Sequence, residues 1–138
     1  MTFRPNYIGY GINKPKIIWP DNRRVCISFV INYEEGGERN ILNGDTESES
    51  YLTEIVGTDS LKGKRNLVVE SGYEYGSRVG IYRLLDLFKK YNIETTIYAV
   101  GKALEINPEI CQLFKDHEVA SHHYRWIDYR NITENEEI

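Results

Sequence analysis

The chain has 138 residues, of which 41% are hydrophobic and 28% charged, and its net charge is −4. This length and composition are typical of one globular domain with its own core, and they exclude a disordered chain. The negative charge, without any run of five or more Lys or Arg, argues against nucleic acid or an anionic membrane as the partner. The sequence also lacks an apolar stretch of the length that a membrane span requires.

The first 20 residues carry three of the four prolines, and they predict an irregular arm that lies on the single domain formed by residues 1–138. The N-terminus does not have a basic segment followed by an apolar one, so we expect no signal peptide and a cytoplasmic protein. In that compartment Cys26 and Cys111 are expected to be buried, reduced thiols.

The first predicted strand runs from Val25 to Ile31 and is followed by two acids and two glycines, Glu34-Glu35-Gly36-Gly37. An uncharged run of this kind is typical of a strand buried on both faces. In α/β folds, chemistry is placed at the carboxyl ends of such strands. The acidic pair is therefore a candidate half of a site.

A long connection covers residues 36–66 and is expected to be functional or a lid, because compact domains rarely contain loops of this length. Within it, residues 49–56 are predicted to make two helical turns. Residues 67–71 are predicted to be extended. The apolar positions Ile81, Leu84, Leu85 and Phe88 then predict an amphipathic helix over Ser77–Tyr91, with Ser77 as its N-cap and Asn92 as its stop.

The second half predicts a strand at Glu94–Val100, a helix that begins at Asn107, a short strand at Glu118–Ser121 and a weakly patterned acidic tail. Strands that alternate with helices are expected to be parallel, with right-handed crossovers. The carboxyl ends of the strands would then face the same rim.

That rim would bring together Glu34, Glu35 and His122, a set suited to hydrolysis. A carboxylate can act as a general base toward water, and a histidine can act as an acid, an electrophile or a metal ligand. The alternatives are acids that simply begin a loop and a core histidine bonded to backbone. His122 and His123 are adjacent, so their rings would point to opposite faces of an extended strand and would not bind one metal together.

Two segments, Asn32–Gly36 and Ser121–Trp126, resemble motifs of the polysaccharide deacetylase (NodB-homology) family. Asn32–Gly36 resembles its first motif, Thr-Phe-Asp-Asp-Gly, and Ser121–Trp126 resembles its second, His-Ser/Thr-x-x-His. The phrases at 32–38, 74–80 and 124–129 are similar to a metal-independent, allantoinase-like branch. The resemblance implies an α/β fold, a partial distorted (β/α) barrel with parallel strands, and hydrolysis of non-peptide carbon–nitrogen bonds, as in carbohydrate metabolism.

The resemblance also implies roles for individual residues. Glu34 falls on the family's catalytic-base Asp, Glu35 on its metal-ligand Asp and His122 on its first metal-ligand His, whereas Trp126 stands where the second metal His is normally found. We therefore expect no metal cofactor. The catalytic set is Glu34 or Glu35 as base, with His122, Arg125 or Arg78 stabilising the oxyanion. The residues expected to contact a small amide or N-acetyl sugar are Tyr33, Glu74, Tyr75, Tyr124 and Trp126.

The family's later motifs, including a C-terminal histidine, have no counterpart in this sequence, so we expect the N-terminal half of such an enzyme. The open sheet of a half-barrel should then form a homo-oligomer or pair with a complementing chain. Two alternatives to an active hydrolase remain: an inactive remnant that serves as an interaction module, and a binder of sugar or purine derivatives.

Overall fold

The computed structural model describes residues 4–51 and 56–137. Its strands are β1 (Val30–Tyr33), β2 (Glu47–Ser48), β3 (Leu61–Lys62), β4 (Thr96–Ala99) and β5 (Glu118–Ser121). Its α-helices are α1 (Leu67–Tyr75), α2 (Ile81–Lys90), α3 (Gly101–Ile106), α4 (Ile110–Phe114) and α5 (Glu134–Glu137), and a π-helical segment, Gly76–Gly80, joins α1 to α2. Within the described ranges, every helix is too short or too polar to span a bilayer.

The main sheet has three parallel strands in the order β1-β4-β5. Tyr33 lies opposite Ala99, and Ala99 lies opposite Ser121, so the three strands end at the same level. The parallel α/β architecture expected from the sequence is confirmed. Strands β2 and β3 form a separate antiparallel pair inside the long connection.

Helices cover one face of the sheet, and the core lies between the helices and that face. The buried residues of this core are Ile31, Tyr33, Ile81, Leu85, Ile97, Ala99, Val100, Ala103, Ile110 and Phe114. The outer face carries Val30, Asn32 and Tyr98, which are exposed. The first strand is therefore not buried on both faces. It begins at Val30 rather than at Val25, because its hydrogen bonds to β4 begin at the Phe29 carbonyl, which accepts from the Thr96 N–H.

Residues 67–71 were expected to be extended, but they begin a helix, so that prediction is wrong. The Asn66 side chain accepts a hydrogen bond from the Val69 N–H, and Val69 is buried. The cap and this tertiary contact outweigh the β propensity of Val68-Val69. Ser77, expected to be an N-cap, lies inside the π-helical segment, whereas Asn92 follows the end of α2 with a left-handed φ of 53°, as expected for a stop.

The N-terminal arm is irregular but does not lie on the domain, because residues 4–30 are all exposed. Cys26 is exposed and Cys111 is half-buried, so the expectation of two buried thiols is wrong. The two helical turns expected at 49–56 fall partly outside the described residues, and residues 49–51 are not helical. Helix α3 was not predicted, and the acidic tail contains helix α5.

Candidate active site

Glu34 and His122 meet beyond the carboxyl ends of β1 and β5. Because the parallel strands end in register, the residue after Tyr33 and the residue after Ser121 project from the same edge. His122 Nε2 lies 2.8 Å from Glu34 Oε1 in a partly buried hydrogen bond between residues 88 positions apart. The convergence expected from the sequence is present for this pair.

Glu35 lies beside the pair and is also partly buried. Its Oε2 accepts a hydrogen bond of 3.2 Å from the Glu34 N–H, and its carboxylate lies against Gly76 in the π-helical segment. Burial raises the pKa of the Glu35 carboxyl, and the neighbouring Glu34 charge raises it further.

A small cleft of about 130 Å³ opens above these acids. It is lined by Asn32, Glu34, Glu35, Tyr73 and Trp126. The Trp126 ring stacks on Tyr51 with 6.0 Å between the ring centroids, so an aromatic wall closes one side. Of the predicted substrate-contacting residues, the cleft includes Trp126.

The prediction missed Asn32 and Tyr73. Strand alternation could have identified Asn32, because it shares a face with Glu34 and lies opposite to Tyr33. Tyr73 donates a hydrogen bond of 2.9 Å to the Tyr51 carbonyl and thereby fixes the long connection to the helix. Burial and four nearby carboxylates raise the pKa of Tyr73, so its phenol stays protonated. Neither the strand face of Asn32 nor the long-range contact of Tyr73 can be read from composition or motif spacing.

The turn that follows β1 fixes the direction of the acids. Gly36 has a φ of 104°, which glycine adopts without strain, and the Gly37 N–H donates to the Glu34 carbonyl over 2.8 Å. Glu38 is buried and accepts a 2.6 Å hydrogen bond from the Gly36 N–H. Burial raises the pKa of Glu38 despite the opposing effect of the nearby Arg125 charge.

Arg125 stabilises this turn and does not line the cleft. Its Nε donates to the Gly37 carbonyl over 3.0 Å, and its Nη2 donates to the Glu38 carbonyl over 3.0 Å and to Asp45 Oδ2 over 2.6 Å. Only 16% of its side chain is exposed. The expected oxyanion role of Arg125 is corrected accordingly, because its donors are directed at the loop.

The structure directs five further predicted residues away from the cleft. Arg78 and Glu74 form an exposed pair on the helix surface, and Tyr75 accepts a hydrogen bond from Arg83. Tyr33 is buried in the core, where its hydroxyl contacts Ser77 and Asn107, and Tyr124 is exposed and donates to Glu105. Motif membership did not reveal these directions, since neighbouring residues in a motif point to different sides.

The donor set does not fit a three-ligand metal centre. Among the described residues, no group of three or more His, Cys, Asp or Glu side chains is placed to hold an ion. His122 is paired with Glu34, and Trp126, four residues later, has no metal-binding atom. His123 has a positive φ of 61°, and its ring packs against Tyr129 with 4.9 Å between centroids.

Comparison with known proteins identifies the family of the chain. A family model described as "Polysaccharide deacetylase" matches residues 63–138. A Schizosaccharomyces pombe protein named "Putative polysaccharide deacetylase" is 43% identical over 127 residues, which are 87% of this chain and 39% of that protein.

Two solved structures match nearly the whole chain with a TM-score of 0.89 each. A structure of Puue allantoinase is 49% identical, over 99% of this chain and 46% of that one. A "probable Polysaccharide deacetylase" from Pseudomonas aeruginosa PAO1 is 50% identical, over 98% of this chain and 46% of that one. The chain therefore spans less than half the length of these relatives. On its sequence and its fold, the chain belongs to the polysaccharide deacetylase family.

Proposed function

We propose that this chain carries catalytic groups for the hydrolysis of a non-peptide carbon–nitrogen bond in a small amide or N-acetyl sugar. The observation that carries the proposal is the 2.8 Å contact between Glu34 and His122, with Glu35 beside it at the mouth of a cleft. The family relationship and the similarity to an allantoinase and a deacetylase support the reaction class.

In the proposed reaction, the Glu34–His122 pair acts as the general base. His122 takes a proton from the attacking water, and Glu34 supports it. In this scheme Nε2 of His122 donates to the Glu34 carboxylate, which has only acceptors. That tautomer leaves Nδ1 as the nitrogen that takes the proton of an attacking water, and the carboxylate stabilises the imidazolium that forms. The substrate carbonyl carbon gains the water oxygen in the same step.

Glu35 serves as the acid in this scheme. Burial raises the pKa of the Glu35 carboxyl, and this shift suits a group that gives a proton to the leaving nitrogen as the carbon–nitrogen bond breaks. The two adjacent carboxyl groups divide the acid and base roles in this scheme. The protons balance, because the proton that His122 takes from water replaces the one that Glu35 gives up, once the products have left.

The cleft favours a substrate with a small planar amide. Its volume of about 130 Å³ suits an acyl or ureide group rather than a whole sugar chain, which would extend into solvent. Tyr73 and Trp126 offer aromatic surfaces to the substrate. In place of Arg125 and Arg78, the Asn32 amide is the side chain that lines the cleft and can donate a hydrogen bond to the developing oxyanion.

The test is hydrolysis of allantoin and of an N-acetylglucosamine oligomer, each with and without added divalent metal. Glu34→Gln, Glu35→Gln and His122→Gln should each lower kcat by about 10²–10⁴-fold. Glu109→Gln is the matched control, since Glu109 is exposed and outside the cleft. Variants as active as the wild type, or a wild type inert toward both substrates, would overturn the enzymatic proposal and leave only family membership.

We also propose that the chain associates with a second copy or a complementing chain. Val30 and Tyr98 on the outer face of the sheet are exposed, and β1 and β5 are the edges of the three-stranded sheet in the described part of the chain. Sedimentation velocity should show self-association or capture of a partner. A concentration-independent monomer that does not bind a hydrophobic dye would contradict this. Association without hydrolysis would favour an inactive interaction module over an enzyme.

A cytoplasmic location is proposed on the two unpaired cysteines, Cys26 and Cys111. Free thiols persist in reducing compartments, whereas oxidising ones favour disulfides. Fractionation of cells that express the tagged chain tests this location, and recovery outside the cytoplasm would contradict it.

A further inference from the structure

The helix that packs behind the acids changes its winding where it passes them. Residues 76–80 are π-helical, between the α-helical segments α1 and α2. π-helical turns are rare, and many occur at functional sites, because they displace backbone or side chains that a regular helix would hold in place. The segment begins at Gly76, the residue in contact with Glu35.

The backbone conformation at position 76 does not require glycine. Its φ of −55° and ψ of −52° are helical values that any residue adopts. What a side chain would lack is space. A Cβ at position 76 would overlap the Glu35 carboxylate oxygen and would lie 2.9 Å from Glu35 Cδ and 3.1 Å from its Cγ. Gly72, one turn earlier on the same helix, has nothing within 4 Å of the corresponding position.

The π-helical segment is also held at a fixed distance from strand β1. Ser77 Oγ and the Tyr33 hydroxyl are hydrogen-bonded over 3.0 Å, and Asn107 Nδ2 donates to the same hydroxyl over 3.1 Å. Tyr33 immediately precedes the acidic pair. These hydrogen bonds oppose a movement of the helix away from β1, so the flexible end of Glu35 is the group that yields most easily to a new side chain at position 76.

We propose that Gly76 is a positioning residue: the missing side chain leaves the space in which the Glu35 carboxyl lies beside the Glu34 N–H at the edge of the cleft. This inference rests on the proposed function and deepens it. An added methyl group would turn the Glu35 carboxyl away from the helix, so that its hydrogen bond to the Glu34 N–H is lost. The backbone at position 76 would keep its conformation.

A direct test that needs no turnover is the Glu34 amide signal in ¹H–¹⁵N NMR spectra. Gly76→Ala should move the Glu34 amide proton upfield and speed its exchange, because its acceptor has left. Gly72→Ala, the matched control, should leave that signal unchanged. An unchanged Glu34 amide in Gly76→Ala would overturn the proposal.

The kinetic test uses allantoin and the N-acetylglucosamine oligomer. Gly76→Ala should lower kcat by about 10–100-fold with KM within about twofold, since a misplacement near 1 Å has effects of that size. Gly72→Ala should stay within about twofold of the wild type. In a Glu35→Asp background, where the side chain is one methylene shorter, Gly76→Ala should reduce kcat much less. An equal reduction in both backgrounds would contradict the role of Gly76.

Two outcomes separate this inference from the proposed function. If the wild type hydrolyses neither substrate, the proposed function fails, and the Glu34 amide signal still decides the role of Gly76. If Gly76→Ala does not fold, Gly76→Ala/Glu35→Ala should fold, because it removes the overlapping group. A double variant that also stays unfolded would overturn the inference.

Discussion

Replacing Arg125 tests whether this guanidinium stabilises the turn beneath the acids or acts on substrate. Arg125→Met keeps the apolar stem and removes three donated hydrogen bonds, to the Gly37 carbonyl, the Glu38 carbonyl and Asp45. The Arg125 and Asp45 side chains are only 16% and 22% exposed. The variant therefore removes the Arg125 donor from three acceptors in a mostly buried place, and each acceptor keeps one other donor, from Trp126, Asn43 and Asn40 respectively.

The magnitude follows from the type of contact. Hydrogen bonds that involve a charged group contribute about 1.5–3 kcal/mol each, and breaking a fully buried ion pair costs about 3–5 kcal/mol. Asp45 retains the hydrogen bond that the Asn40 N–H donates, and the site is partly exposed, so the expected loss is about 2–4 kcal/mol. For a domain of this length, that corresponds to a decrease in Tm of roughly 6–14 °C.

The assay is urea and thermal unfolding followed by circular dichroism. Arg130→Met is the matched control, because Arg130 forms an ion pair with Asp128 but is 84% exposed, so its loss should change stability far less than the loss of Arg125. Arg125→Lys should fall between the wild type and Arg125→Met, since an ammonium group cannot span three acceptors in this geometry. A stability loss no larger than that of Arg130→Met, combined with a large decrease in kcat, would refute the structural role and restore the oxyanion role.

Three further expectations concern the turn, the core and the cleft. Because burial raises the pKa of Glu38, its ionisation opposes folding, so the contribution of Glu38 to stability falls as pH rises from about 4 through the folded-state pKa. Glu38→Gln should therefore be more stable than the wild type at about pH 7 to 8 and equal to it below about pH 4, and a gain that persists in acid would contradict this. Ile97→Ala removes a side chain with 0% exposure and should cost about 2–5 kcal/mol in urea unfolding, whereas a loss below about 1 kcal/mol would show that the core is elsewhere. Tyr73→Phe removes the hydrogen bond to the Tyr51 carbonyl and should cost about 0.5–1.5 kcal/mol and raise KM more than it lowers kcat, an unchanged KM being the contrary result.

The sequence predicted those parts of the fold that depend on periodicity. The strand at Thr96–Ala99 falls inside the predicted range, and the strand at Glu118–Ser121 coincides with it, because short apolar runs between helices favour parallel strands. The meeting of Glu34 with His122 follows from the same argument, since parallel strands carry their carboxyl ends to one edge. The helix start at 67–71 was missed because its β-branched residues favour a strand until the Asn66 cap is known.

Side-chain direction was the least predictable property. Tyr33 was expected at the substrate but lies in the core, whereas its neighbour Asn32 lines the cleft. Strand alternation places these two residues on opposite faces, but the predicted strand was buried on both faces, so the prediction did not show which face is the core. Arg125 and Tyr73 depend on long-range contacts, with Asp45 and Tyr51 respectively, which no local pattern encodes.

The central claim is that parallel strands bring Glu34 and His122 into direct contact, and the imidazole nitrogens of His122 report on it most directly. In long-range ¹H–¹⁵N spectra at neutral pH, we expect a proton on Nε2 that is protected from exchange in the wild type and loses this protection in Glu34→Ala. An Nε2 proton that exchanges freely in the wild type, or a His122 spectrum that Glu34→Ala leaves unchanged, would contradict the contact and with it the proposed site.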